Sequence, residues 1–160
     1  MAGITLICVG KLKEKFYQEA CAEYGKRLGG YCRLNVVEIP EQRLPKNPSP
    51  AEIQGALEKE GEAIRGKIPP SSRVEALCVE GRMRSSEELA RMVAGWQSGP
   101  DKNLVFVIGG SYGLHPSVKA LAAGRMSMSP MTFPHHLARV MLLEQLYRAF
   151  KIQEGSEYHK

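Results

Sequence analysis

Three groups of residues in the second half of this 160-residue chain have the types and spacing to do chemistry. The first is Gly109-Gly110-x-x-Gly113, directly after the apolar run Leu104-Val105-Phe106-Val107-Ile108. Glycines let backbone amides approach a ligand, and an adjoining helix N-terminus favours anions. The dinucleotide pattern G-x-G-x-x-G and the phosphate-loop G-K-[ST] are both absent, and about fifty residues remain, too few for the second half of a dinucleotide-binding sheet. A tight turn that requires glycine explains the spacing equally well. The second group is the loop Met128, Ser129, Pro130, Met131, Thr132 and Phe133. Free backbone groups beside apolar side chains suit a flat heteroaromatic ring, which needs both hydrogen bonds and stacking surface. Met131 and Phe133 also read as ordinary core residues. The third group is Arg139, Glu144 and Arg148 with the terminal Tyr158-His159. Solvated charges and a frayed tail are the plain reading. The functional one is a clamp on RNA or substrate, with stacking by Tyr158 and proton transfer at His159.

The elements that must position these groups follow from periodicity. Ile4 to Val9, closed by Gly10, is a short apolar run of the kind buried on both faces of a parallel sheet. Glu14 to Leu28 places Phe16, Tyr17, Ala20, Cys21, Tyr24 and Leu28 at helical spacing and stops at Gly29-Gly30. A second strand spans Arg33 to Ile39, and the proline-rich segment from Glu41 to Pro50 reads as a solvated connection rather than a cover over a ligand. Ser49-Pro50-Ala51-Glu52 has the capping hydroxyl, early proline and returning glutamate of a helix start, and that helix runs to about Arg65. A third strand from Val74 to Val79 delivers Glu80-Gly81-Arg82 to the next loop, and Ser85 to Glu88 opens another capped helix. Leu104 to Ile108 is the central strand, and a last helix runs from about His135 to Lys151. Strand and helix alternate with connections long enough for right-handed crossovers, which predicts an α/β fold with a parallel sheet covered on both faces.

Composition sets the outer limits. The length suits one domain, residues 1–160, with a true core, and the 43% apolar and 24% charged content is that of an ordinary soluble protein. The early apolar run is too short for an export signal or a membrane span, so a cytoplasmic protein with no membrane partner is expected. Cys8, Cys21, Cys32 and Cys78 form no C-x-x-C pair, which argues against a metal site and fits reduced thiols. Of the five excess positive charges four lie in residues 81–160, which hold 10 basic and 6 acidic side chains against 12 and 11 in residues 1–80. Nucleic acid is therefore a candidate partner of the second half, without any dense basic run. The last helix presents Leu137, Val140, Met141, Leu143, Tyr147 and Phe150, a face too wide for one sheet contact, and a subunit interface is expected there.

Taken together, Phe106-Val107-Ile108-Gly109-Gly110, Gly113-Leu114, Met131-Thr132-Phe133-Pro134-His135, Arg139, Glu144-Gln145, Tyr147-Arg148-Ala149 and Tyr158-His159 resemble the RlmH family. Val9-Gly10-Lys11-Leu12-Lys13 and Glu58-Lys59-Glu60-Gly61 extend the resemblance over essentially the whole chain. The family comprises small bacterial SPOUT methyltransferases that use S-adenosylmethionine to methylate N3 of a pseudouridine in 23S ribosomal RNA.

The resemblance implies a parallel-sheet SPOUT fold with a C-terminal trefoil knot, and a homodimer seamed by the last helix. It implies cofactor contacts at Leu77, Gly109, Met128, Ser129, Pro130, Met131, Thr132 and Phe133, with the loop cradling the adenine and the glycines leaving room for the bent cofactor. It places His159 or Tyr158, from either chain of the dimer, in substrate placement or proton handling, and Arg139 and Arg148 on RNA. No metal is implied. The modest charge fits an enzyme acting on assembled ribosomes, where shape substitutes for raw charge. Two alternatives stay open: a SPOUT methyltransferase for transfer RNA or another base, and a non-catalytic RNA- or nucleotide-binding module.

Overall fold

The computed structural model describes residues 2–160. Its elements are β1 (Gly3–Val9), α1 (Lys15–Leu28), β2 (Arg33–Ile39), α2 (Pro50–Lys67), β3 (Ser72–Met83), α3 (Ser86–Gln97), β4 (Asn103–Ile108), α4 (Pro116–Leu121), β5 (Gly124–Ser127) and α5 (His135–Gln153). The strands form one sheet in the order β2-β1-β4-β3-β5, and every neighbouring pair is parallel. The predicted parallel α/β architecture is what the chain adopts.

The sheet is covered on both faces, as the unbroken apolar run of its central strand requires. Leu104 to Ile108 of β4 are all buried, and alternate residues serve opposite layers. Leu104, Phe106 and Ile108 pack with Leu28 of α1, Val93 and Trp96 of α3, and Leu142 and Leu146 of α5. Val105 and Val107 pack with Ile64 of α2 and Val118 of α4. Full burial of each such side chain contributes roughly 1.5–3 kcal/mol, so β1 and β4 fix the sheet against which the site is built.

Both capping boxes form as expected. The Ser49 hydroxyl accepts from the Glu52 amide at 3.1 Å while the Glu52 carboxylate accepts from the Ser49 amide at 3.0 Å. Ser85 and Glu88 repeat the exchange at 3.1 and 2.8 Å.

One strand departs from expectation. β3 runs on to Met83 instead of ending at Val79. The reason is its last neighbour: Leu77 and Arg82 both pair with Met126, so residues 78–81 leave the ladder and the strand resumes beyond them. Gly81 permits this, since a Cβ there would stand 2.7 Å from the Met126 backbone.

Candidate functional site

The carboxyl ends of β3, β4 and β5 border a cleft of about 790 Å³. Strands of an open parallel sheet diverge into loops at this end, which is where such sheets hold ligands. Leu77 of β3 and Gly109 after β4 form one part of the wall, and Met128, Ser129, Met131, Thr132 and Phe133 form another. Pro130 lies in the same loop, exposed, and does not line the cleft. The loop backbone is outside any helix or strand ladder. It folds on itself through two bonds: the Ser127 hydroxyl donates to the Ser129 carbonyl at 3.0 Å, and Ser129 Oγ accepts from the Met131 amide at 3.0 Å. Met131 is 72% exposed and Val79 70% exposed, so the mouth carries an apolar rim open to solvent.

The glycine turn is shaped by the protein itself. A Cβ on Gly109 would collide with the Gly113 carbonyl group, its carbon 2.6 Å away, and Gly113 has φ +83°. A Cβ on Gly110 would stand 2.8 Å from Glu41 Oε1. Turn closure therefore requires glycine at 109 and 113, a reason that stands beside the cofactor clearance expected of the glycines, and the missing side chain at Gly110 leaves the Glu41 carboxylate room to approach.

Glu41 also revises the reading of the proline-rich connection. Its Oε1 accepts from the Ser111 amide at 3.3 Å and from the Ser111 hydroxyl at 3.2 Å. The segment after β2 thus buttresses the turn that walls the cleft, rather than running free in solvent.

Several cleft residues carried no distinctive sequence signal. Cys78, Val79 and Glu80 reach the wall through the excursion in β3, and Lys119 reaches it from α4. Glu80 and Lys119 form an ion pair. The Lys119 hydrogen bond holds the Glu80 carboxyl below its ordinary range. His135 opens α5 at the cleft, and its Nε2 is buried without a hydrogen-bond partner among the described residues. Burial lowers its imidazole pKa, and the neighbouring His136 lowers it further, both of which favour the neutral ring.

Of the residues given catalytic roles by resemblance, none lines this cleft within one chain. Arg139 is 3% exposed. It donates to Glu38 Oε2 at 2.9 Å and to the Gly10 carbonyl at 3.1 Å, which locks α5 to the ends of β1 and β2 and takes the guanidinium out of reach of RNA.

Arg148, Tyr158 and His159 do come together, at the other end of α5. Arg148 donates from Nη2 and Nε to Glu144 Oε1 at 2.7 and 3.0 Å, and lies 4.8 Å from the centre of the Tyr158 ring. Tyr158 donates its hydroxyl to the same Glu144 oxygen at 3.1 Å. Burial raises the Tyr158 pKa, and the Glu144 carboxylate raises it further. Arg148 Nη1 stands 3.1 Å from His159 Nδ1, and His159 Nε2 stands 2.7 Å from Glu87 Oε1. A guanidinium only donates, so Nδ1 accepts and the Nε2 proton goes to Glu87. Ala138 at the cleft and Arg148 in this cluster are separated by about 15 Å of helix axis.

Among the described residues no group of three or more His, Cys, Asp or Glu is placed to hold a metal ion, and no helix is long and apolar enough to cross a membrane. A solved structure of a probable methylase family protein from Haemophilus influenzae Rd KW20 aligns over 98% of this chain and 70% of that one, with a TM-score of 0.58 at 16% identity, a likeness of fold. The family model described as "Predicted SPOUT methyltransferase" matches residues 2–159, and with that span, this sheet order and a cleft at its carboxyl edge, the chain belongs to the SPOUT methyltransferase family.

Proposed function

We propose that this chain is a cytoplasmic, S-adenosylmethionine-dependent methyltransferase of one domain, residues 1–160, which methylates N3 of a pseudouridine in 23S ribosomal RNA on the assembled ribosome. The observation that carries the reading is the cleft in which the irregular Met128–Phe133 loop faces the glycine turn, within a chain of this family.

The residues present fit the cofactor. The volume lies within the range of small-molecule sites, roughly 300–1,000 Å³. The loop offers backbone donors and acceptors beside Met131 and Phe133, the combination an adenine ring needs, and Glu80 and Lys119 supply one charge of each sign for an amino-acid end. When bound, S-adenosylmethionine supplies a methyl group that its sulfonium has already made electrophilic. The protein's work is then positioning: Leu77 and the Met128–Phe133 loop hold and desolvate one reactant, and the remaining residues must bring the nucleophilic nitrogen into line with the methyl–sulfur bond.

The chain acts as a homodimer in this reading. Of the face expected at the interface, Leu143 and Phe150 are buried in the chain's own core, whereas Leu137, Val140, Met141 and Tyr147, with Glu144 and Arg148, are only half-buried along α5, an apolar and charged face that a second copy would cover. Dimerisation also resolves the separation along α5, because Arg148, Tyr158 and His159 of one chain would complete the cleft of the other. In that role Arg148 engages RNA, while Tyr158 and His159 place the base or handle its imide proton. The resemblance further implies that the C-terminal segment is threaded into a trefoil knot, and the path of β3 past Met126 of β5 is compatible with it.

The test is methyl transfer from radiolabelled S-adenosylmethionine to intact 70S particles and to deproteinised 23S RNA. Incorporation into the particles with little into the free RNA is the expected result; efficient methylation of free RNA alone would overturn the ribosome-level reading.

A further inference from the structure

Four arginines from two stretches of chain meet in a groove outside the cleft. Arg73, Arg82 and Arg84 come from β3 and the turn after it, and Arg91 comes from α3; with Met92 they border about 380 Å³. Arg73 and Arg84 would stand roughly 35 Å apart on a straight strand. The excursion at residues 78–81 instead returns Arg84 to the same carboxylate as Arg73.

That carboxylate is Glu75, fully buried. Its Oε1 accepts from Arg73 at 3.3 Å and its Oε2 from Arg84 at 3.0 Å. A buried carboxylate needs such partners, and in return it fixes two guanidinium groups in place. Arg82 lies 3.5 Å from Glu88 Oε1, but Glu88 is also committed to the Ser85 amide as part of a helix cap. Arg91 is exposed and in no ion pair among the described residues. Four positive charges against two negative ones leave the groove electropositive in a chain that carries four of its five excess charges in residues 81–160.

We propose that this groove holds the phosphate backbone of the RNA substrate beside the methylation cleft, an inference that rests on the reading of the chain as an RNA methyltransferase. Guanidinium forks match phosphate oxygens: the exposed Arg82 and Arg91 would take the phosphate contacts, while Arg73 and Arg84, held on Glu75, fix the wall between them and add positive charge. The excursion that carries Cys78, Val79 and Glu80 into the cleft wall also builds the groove, so one strand joins the two sites.

The test uses the double variant R82E/R91E, which leaves Glu75 and its two partners intact. Four quantities are compared with the wild type: KM for 70S particles, S-adenosylmethionine affinity, oligomeric state, and binding of a fluorescein-labelled twenty-nucleotide single-stranded RNA across a salt series. The proposal expects KM and the RNA Kd to rise at least about tenfold, with kcat, cofactor affinity and oligomeric state unchanged. The slope of log affinity against log salt should become shallower by about 1.4, for two phosphate contacts on a single strand. Unchanged RNA affinity and slope would overturn it. So would loss of self-association, which would make the groove a subunit contact, or a poly-glutamate peptide that binds the wild type as tightly as the RNA and loses affinity in the variant. If the wild type binds the labelled RNA and the variant does not, yet 70S particles are never methylated, the groove stands and the substrate reading fails.

Discussion

Arg139 of α5 and Glu38 of β2 form an ion pair of 2.9 Å, and the same guanidinium donates to the Gly10 carbonyl at 3.1 Å. One buried side chain therefore ties the helix that leaves the cleft to the ends of two strands. Arg139→Ala should destabilise the fold by about 2 kcal/mol, because it leaves the Gly10 carbonyl without its side-chain donor and the partly exposed Glu38 carboxylate with the Leu12 amide alone. Urea unfolding measures this; a loss below about 0.5 kcal/mol would mean that the pair is incidental.

The pair also sets a pH dependence. Burial alone would raise the Glu38 pKa, but the hydrogen bonds from Arg139 and the Leu12 amide outweigh it and hold the carboxyl below its ordinary value of 4.5. A depressed carboxyl contributes stability that is present above the unfolded pKa and disappears as pH falls through the folded one. The stability difference between wild type and Glu38→Gln should thus be full at neutral pH and shrink progressively below about pH 4.5. A difference that stays constant down to pH 2 would contradict the assignment.

Glu41 holds Ser111 through two hydrogen bonds and so supports the turn that walls the cleft. Glu41→Ala should weaken S-adenosylmethionine binding by roughly three- to tenfold, the effect of about 1 kcal/mol, while Glu41→Gln, which retains an acceptor, recovers most of it. Calorimetry gives the comparison, and equal affinities for all three proteins would remove Glu41 from the support of the site.

The proposed completion of one chain's cleft by the tail of a second copy predicts complementation between chains. A protein carrying Gly109→Ala should lose the cleft, and one carrying His159→Ala should lose the tail; both homodimers should be nearly inactive. A heterodimer of the two, isolated through different tags, contains one intact cleft facing one intact tail and should recover roughly half of wild-type methyl transfer. A heterodimer no more active than either parent would place cleft and tail in the same chain.

Much of the scaffold was legible in the sequence because its causes are local. Ser49 to Glu52 and Ser85 to Glu88 carry their caps within four residues, and Leu104 to Ile108 can only be a buried run. The site was legible in part: the Met128–Phe133 loop stood out as irregular backbone, and it lines the cleft apart from Pro130. What escaped depends on distant partners. Arg139 looks like any helix charge until Glu38, 101 positions away, is placed beside it. The excursion of β3 shows itself only in its pairing with β5, and Glu41 is an unremarkable loop acid until Ser111 folds over it. The arginine groove needs both ends of β3 brought back to Glu75.

The most direct measurement is nucleotide-resolved mass spectrometry of 23S RNA from 70S particles incubated with the protein and S-adenosylmethionine. The account predicts one added methyl group on a single pseudouridine, accompanied by a block to reverse transcription there, since N3 lies on the base-pairing edge. A methyl group on another base or on transfer RNA, or no transfer by a protein that binds the cofactor, would contradict it.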